Sequence, residues 1–242
     1  MTLSNLAKQN LSSLTDNLYP GRGIVLGLTP DEKNLVQVYW IMGRSENSRN
    51  RIFVEEADTF MRTKAFDESK LEDPSLIIYY PMKVVDNMHI VTNGDQTDTL
   101  ETAFIKKDSF EAALKNREYE PDGPNFTPRI SGFMDLNNPM HEYHLSILKS
   151  FHNTEATCQR FYYKYEKAQA GLGHCITTYM GDGNPLPSFT GEPYLLPLAN
   201  SIEEVTQNYW NALNADNKVS LAVKFIDKDS GEAKLKIINK HR

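Results

Sequence analysis

The residues best able to do chemistry in this 242-residue chain sit in three polar stretches. The first is Gly43–Arg51, GRSENSRNR, in which Arg44, Arg49 and Arg51 interleave with Ser45, Asn47, Ser48 and Asn50. Guanidinium forks beside small hydroxyl and amide donors are what a phosphate monoester needs. The same residues also read as a solvated basic loop paired with surface carboxylates. Arg22 follows the Pro20-Gly21 turn at the head of a strand candidate, and antiparallel pairing alone does not place it beside the cluster. The second stretch is Thr92–Thr99, TNGDQTDT, between a strand and a helix, where backbone donors favour an anion or a polar ligand group. Capping accounts for Thr97, Asp98 and Thr99 but not for Asn93 and Gly94. The third is Tyr119-Glu120 followed by Phe126-Thr127-Pro128-Arg129, a proline-bounded loop that carries a carboxylate and an arginine.

Other candidates are weaker. His141-Glu142-Tyr143-His144 superficially matches a zinc pair, but the helical motif needs two His four apart. Here the spacing is three, on an expected strand, so the rings point to opposite faces and no metal site is expected. His174-Cys175 fails as a base and thiolate for the same reason. Asp227–Glu232 fits a hairpin turn rather than a calcium loop, and Gly171-Leu172-Gly173 reads as a turn, too short for a phosphate cradle.

The elements that must position these groups are mostly strands. Arg22–Leu28 and Leu35–Met42 are β-favouring runs joined by Thr29–Asn34, good hairpin chemistry. Further strands are expected at Arg51–Glu55, Leu76–Tyr80, Lys83–Val91, Arg129–Met134, Tyr143–Leu148, Arg160–Tyr165 and His174–Met180. A terminal hairpin is expected from Val219–Ile226 and Ala233–Ile238. Helices are expected at Thr2–Asp16, Thr97–Ile105, Asp108–Arg117 and Ile202–Leu213, the last opened by the capping box Ser201/Glu204. Strands and helices in no regular alternation predict one α+β domain. The Pro/Gly-rich Pro121–Pro128 and Gly181–Pro197 are short enough to be loops within it.

Composition bounds the partners. Lys and Arg number 26 against 32 Asp and Glu, a net charge of −6, which argues against a protein that coats nucleic-acid phosphates. No apolar run approaches the ~20 residues of a membrane span. Met1 leads into TLSNLAKQN, which lacks the pattern of a secretory signal, and Cys158 and Cys175 could not staple a fold of this size. A soluble, cytoplasmic protein with neither membrane nor nucleic acid as partner is expected.

Taken in order, Tyr19–Arg22, Gly43–Arg51, Asn93–Thr99, Tyr119-Glu120 and Thr127–Ile130 resemble the archaeal-type IMP cyclohydrolase family. Weaker echoes follow at Ile176–Tyr179, at the helix opened by Ser201 and in the C-terminal hairpin. The resemblance implies a four-layer αββα sandwich of the N-terminal-nucleophile hydrolase type, here with a helix ahead of the first strand and no N-terminal nucleophile. It implies a single domain over residues 19–242 with a helical extension at 1–18. The implied reaction closes 5-formamido-1-(5-phosphoribosyl)imidazole-4-carboxamide (FAICAR) to inosine monophosphate (IMP) with loss of water, needing no metal or cofactor. Carried over residue by residue, Tyr79, Glu120 and Arg22 are the implied catalytic groups. Arg44, Ser45, Arg49, Arg51, Asn93, Gly94, Asp98, Thr127 and Arg129 are the implied substrate-binding ones. Gly43-Arg44-Ser45 stands where Ser-Arg-Ser is expected; Arg49 and Arg51 both fit the last arginine, and Tyr80 competes with Tyr79. A homo-oligomer is expected, with the helical extension and the segment around Asn137–Lys167 as additions for oligomer contacts or a lid. The alternatives are a purine-ribonucleotide binding or sensing protein without catalysis, and a hydrolase acting on another amide.

Overall fold

Strands β1 (Gly23–Leu28) and β2 (Asn34–Met42) explain the centre of the molecule. In the computed structural model, which describes residues 2–56, 60–71, 77–138 and 142–241, both strands are buried on two faces. Ile24, Leu26, Tyr39 and Ile41 point one way, Val25, Val38 and Trp40 the other, each set into its own core. A strand covered on both sides has no polar face, hence these continuous apolar runs. Each large side chain fully buried there contributes roughly 1.5–3 kcal/mol.

Around this hairpin lie β10 (Leu172–Thr177), β11 (Tyr194–Pro197), β12 (Lys218–Asp227) and β13 (Ala233–Asn239), giving a six-stranded antiparallel sheet in the order β11-β10-β1-β2-β12-β13. The second sheet is a seven-stranded meander in chain order. It comprises β3 (Ile52–Glu55), β4 (Met61–Lys64), β5 (Met82–Val85), β6 (Met88–Thr92), β7 (Arg129–Asp135), β8 (Tyr143–Phe151) and β9 (Thr154–Tyr165). Val91, Ile130, Leu145 and Ile147 meet the inner face of the first sheet. Helices α1 (Leu3–Asp16) and α5 (Ile202–Ala212) cover the outer face of the six-stranded sheet through Leu14, Val205 and Tyr209. On the far side, α3 (Gln96–Ile105) and α4 (Phe110–Leu114) cover Ile90, Phe133 and Leu148. The result is α+β: two antiparallel sheets packed face to face, with helices outside. No described helix is long and apolar enough to cross a membrane.

Several expectations change. Lys83–Val91 is not one strand but the β5–β6 hairpin, turning at Asp86-Asn87 with Asp86 at φ 53°. Two turn-forming polar residues outweigh the apolar pairs on either side. Residues 77–80 are not a strand, and Leu76 and His141 lie outside the described residues. Leu172 and Gly173 begin β10, leaving Gly171 alone in the turn at φ 74°. Strands β4 and β11, each of four residues, carry too little periodicity to be read from sequence. Inside the sandwich Gln37, His89 and Lys224 are among the residues that break the apolar pattern. Lys224 on β12 sits opposite Gln37 of β2, fully buried, its Nζ without a hydrogen-bond partner among the described residues.

Candidate functional site

The site forms where β1 begins and β2 ends. At Gly21 (φ 74°) a side chain would collide with Thr178 and the Tyr179 ring, so glycine lets the chain pass close to the end of β10. Arg22 N then donates to Thr178 Oγ1 (3.1 Å), and Thr178 N donates to Arg22 O (2.9 Å), fixing the arginine at the head of β1. After β2 the chain turns into one short helical turn, α2 (Glu46–Arg49), capped by Ser45 and Ser48 reciprocally. This turn splits the arginines. Arg49 folds back, donating from Nε to Gly43 O (2.9 Å) and from Nη2 to Asn217 Oδ1 (3.0 Å). Arg44 and Arg51 instead line a cleft of about 390 Å³, together with Arg22 and Glu120.

The cleft is graded in polarity. At its mouth, Arg44 is 37% exposed, lies over the Tyr19 ring, and donates from Nη1 to Asp182 Oδ1 (2.5 Å) and Gly183 O (3.0 Å). Ser45, Asn47 and Ser48 line the wall beside it. In its depth, Arg22, Arg51 and Glu120 are at most 9% exposed. The Nε atoms of Arg22 and Arg51 have no hydrogen-bond partner, and no carboxylate forms an ion pair with either guanidinium among the described residues. Burial acts to lower the pKa of Arg22, yet Glu120 and the neighbouring phenols hold it above its ordinary value. Burial and the Arg22 charge together lower that of Arg51. Burial pushes the Glu120 carboxyl up, against the pull of Arg22, Arg129 and Arg51.

Glu120 is carried by a tight loop: its N donates to Thr127 O (2.9 Å), while Thr127 N donates to Asp122 Oδ1 (2.6 Å). Thr127 Oγ1 also bonds Asp122 Oδ2 and the Tyr179 hydroxyl, both at 2.5 Å, closing one side of the cleft. Tyr79 does not line the cleft, but the charges of Arg51, Arg22 and Glu120 act on its phenol. Thr63 mimics a strand neighbour for it, since Thr63 N donates to Tyr79 O (2.9 Å) and Tyr79 N donates to Thr63 Oγ1 (2.9 Å). The Tyr79 hydroxyl meets that of Tyr39 at 2.7 Å. Burial raises the Tyr79 pKa, opposed by Arg51, Arg22 and the bond to Tyr39. Tyr80 bonds Glu56 Oε2 (3.0 Å) instead.

The Thr92–Thr99 stretch does not reach the cleft wall. Asn93 is a buried staple, donating to Pro128 O (2.9 Å) and accepting from Ile130 N (2.8 Å). At Gly94 a side chain would strike Arg129. Arg129 donates to Asp95 Oδ1 (2.7 Å) and Gln96 Oε1 (2.8 Å), and reaches the site only through its charge on Glu120. Asp98 pairs with Lys83 at the surface (2.8 Å). Among the described residues no group of three His, Cys, Asp or Glu could hold a metal ion. His174 Nδ1 and the Tyr143 hydroxyl share a hydrogen bond (2.6 Å), while Cys175 packs in the opposite core.

A catalytic-looking cluster on a two-sheet sandwich can be set against known proteins. The sequence model of the family described as "IMP cyclohydrolase-like protein" matches residues 19–230. The chain belongs to that family. Among its relatives is the IMP cyclohydrolase of Methanocaldococcus jannaschii, 26% identical over 217 residues, covering 88% of this chain and 96% of that protein. Another is that of Methanopyrus kandleri, 27% identical over 175 residues, 71% of this chain and 79% of the relative. In this member of the IMP cyclohydrolase-like family, sequence reasoning missed Tyr39, Asp122 and Tyr179 as parts of the site. Asp122 and Tyr179 lay within or beside stretches already singled out, whereas a tyrosine in a buried strand such as Tyr39 gives no signal beyond core packing.

Proposed function

We propose that the chain is an IMP cyclohydrolase, closing FAICAR to IMP with loss of water. The observation that carries this is a pair of buried guanidiniums, Arg22 and Arg51, that form no ion pair with a carboxylate among the described residues, set beside a buried carboxylate and a phenol. Buried charges of this kind are costly unless a ligand complements them. In this reading the 5′-phosphate lies at the cleft mouth against Arg44, Ser45, Asn47 and Ser48. The two groups that react lie in its depth.

There the carboxamide nitrogen attacks the formyl carbon, forming the new C–N bond while the formyl C=O becomes a hydroxyl. Glu120 takes the proton from the nitrogen, and its upward-shifted pKa suits a proton acceptor. Tyr79 gives a proton to the formyl oxygen, and Arg22 and Arg51 offset negative charge developing there. The hydroxyl then leaves as water as the former formamide nitrogen loses its proton, completing the ring. Holding both groups in attack geometry does the rest, since an amide is a poor nucleophile. The layered sheets and outer helices support the N-terminal-nucleophile hydrolase architecture for this domain, with α1 as an appended element. The same reading carries a purine ribonucleotide as ligand, a cytoplasmic setting and a homo-oligomer.

The test is incubation of the purified chain with FAICAR, following IMP by chromatography. Enzyme-dependent conversion is expected, and Glu120→Gln should lose about 10²–10⁴-fold in rate with nucleotide affinity kept. Tight nucleotide binding without turnover would replace the enzyme with a sensing protein. Neither binding nor turnover would remove both readings.

A further inference from the structure

The deepest part of the site holds a group that the proposed chemistry has not yet used. Tyr39 is wholly buried on β2, its ring stacked on Phe53 at 5.5 Å, and its hydroxyl meets Tyr79 Oη at 2.7 Å. A core position of this size is ordinarily filled by Phe or Leu, because a buried hydroxyl needs a partner. Among the described residues Tyr39 finds that partner only in the residue proposed to deliver the proton.

We propose that Tyr39 is a positioning residue of this site, whose hydroxyl donates to Tyr79 Oη as Tyr79 gives its own proton to the substrate oxygen. The inference rests on the reaction proposed above. Its chemistry balances: the Tyr79 O–H bond breaks, the proton joins the formyl oxygen, and the electron pair stays on Tyr79 Oη. That oxygen becomes anionic inside a buried site, where an extra donor is worth more than in water. Tyr39 supplies the donor, while Arg22 and Arg51 supply the positive field. The carboxamide proton held by Glu120 restores Tyr79 after water leaves. The order of ionisation agrees: burial and Tyr79 keep Tyr39 well above its ordinary pKa, whereas the hydrogen bond from Tyr39 lowers Tyr79. The charged and titratable groups facing this pair are Arg22, Arg51 and Glu120.

Tyr39→Phe keeps the ring and its packing on Phe53 and removes only the donor. Expected are a fall in kcat of about tenfold, the effect of one hydrogen bond to a developing charge, with KM unchanged. The alkaline limb of the pH–rate profile should move to higher pH, since Tyr79 loses the bond that eases its ionisation. In a Tyr79→Phe background the same change should alter kcat no further. Incorporation of 3-fluorotyrosine at position 39, which retains the hydroxyl and makes it a stronger donor, should move the alkaline limb the other way. An unchanged profile in both variants, or a loss confined to KM or melting temperature, overturns the proposal. The phenol of Tyr79 can also be titrated by ultraviolet difference absorbance with the position-39 variants. That readout needs no turnover, so a chain that fails to convert FAICAR sinks the proposed reaction, whereas an unmoved Tyr79 titration sinks the role of Tyr39.

Discussion

Arg44 and Asp182 define how the mouth of the cleft is held. The pair is close (2.5 Å) but half-exposed, with side chains 37% and 44% accessible, so its contribution to stability is small, about 0.2–1 kcal/mol. Its larger effect is competition, because the Nη1 that reaches Asp182 is one that a phosphate would use. Asp182→Asn is therefore expected to tighten nucleotide binding by a few fold, leave kcat alone and steepen the salt dependence of KM. Calorimetric titration at two ionic strengths checks it; weaker binding would show that Asp182 positions Arg44 rather than competing for it. Residue by residue, chemistry was legible in the sequence where it was concentrated. The Gly43–Arg51 run announced itself by composition. Which of its arginines faces the cleft did not, because that depends on one turn of helix: α2 sends Arg49 back to Gly43 and Asn217, and Arg51 inward.

Elements carry the next layer of cause. Helix α1 ends at Asn17, whose Nδ2 donates to Met180 O (2.9 Å) and whose Oδ1 accepts from Tyr19 N (3.1 Å). One side chain thus joins α1, the cleft-lining Tyr19 and the segment that leads to Asp182. Asn17→Ala is expected to raise KM for the nucleotide several fold with little change in kcat. It should lower the melting temperature by about 2–4 °C, the effect of roughly 1 kcal/mol in a domain of this size. A melting shift with KM unmoved would confine Asn17 to holding the helix. The central strands were readable as unbroken apolar runs, and the amphipathic helices by the period that one-sided burial imposes. Tyr79 shows the limit of that approach: its segment has strand composition, yet it is held by one backbone bond and one side-chain bond to Thr63 rather than by a regular ladder, and no period encodes such a partner. The β5–β6 turn at Asp86-Asn87 was overlooked for the opposite reason, its apolar flanks masking two plain turn residues.

At the scale of the whole molecule, the buried Lys224 sets a pH dependence of folding. Burial lowers its pKa from 10.5 to about 8, partly opposed by Glu55. Above pH 10.5 neither the folded nor the unfolded chain protonates it, and it costs nothing. As pH falls, the unfolded chain takes up the proton first, so stability declines between pH 10.5 and about 8 and stays lower beneath, by on the order of 3 kcal/mol. Lys224→Met is expected to stabilise the protein at pH 7 by about 1–3 kcal/mol and to remove that decline, measured by urea unfolding at several pH values. A less stable variant would mean that Lys224 finds compensation the described residues do not provide, and a decline left intact would assign it to another group. The other buried cations of the sandwich, Arg22 and Arg51, have a consequence of a different kind. Glu120 offsets only part of their mutual repulsion, and among the described residues no carboxylate forms an ion pair with either, so in the proposed function a bound nucleotide would act as a missing piece of the core. Stability then rises with ligand concentration as RT ln(1 + [L]/Kd), and resistance to proteolysis follows. The lifetime of the protein in the cell becomes a record of how well its ligand is supplied.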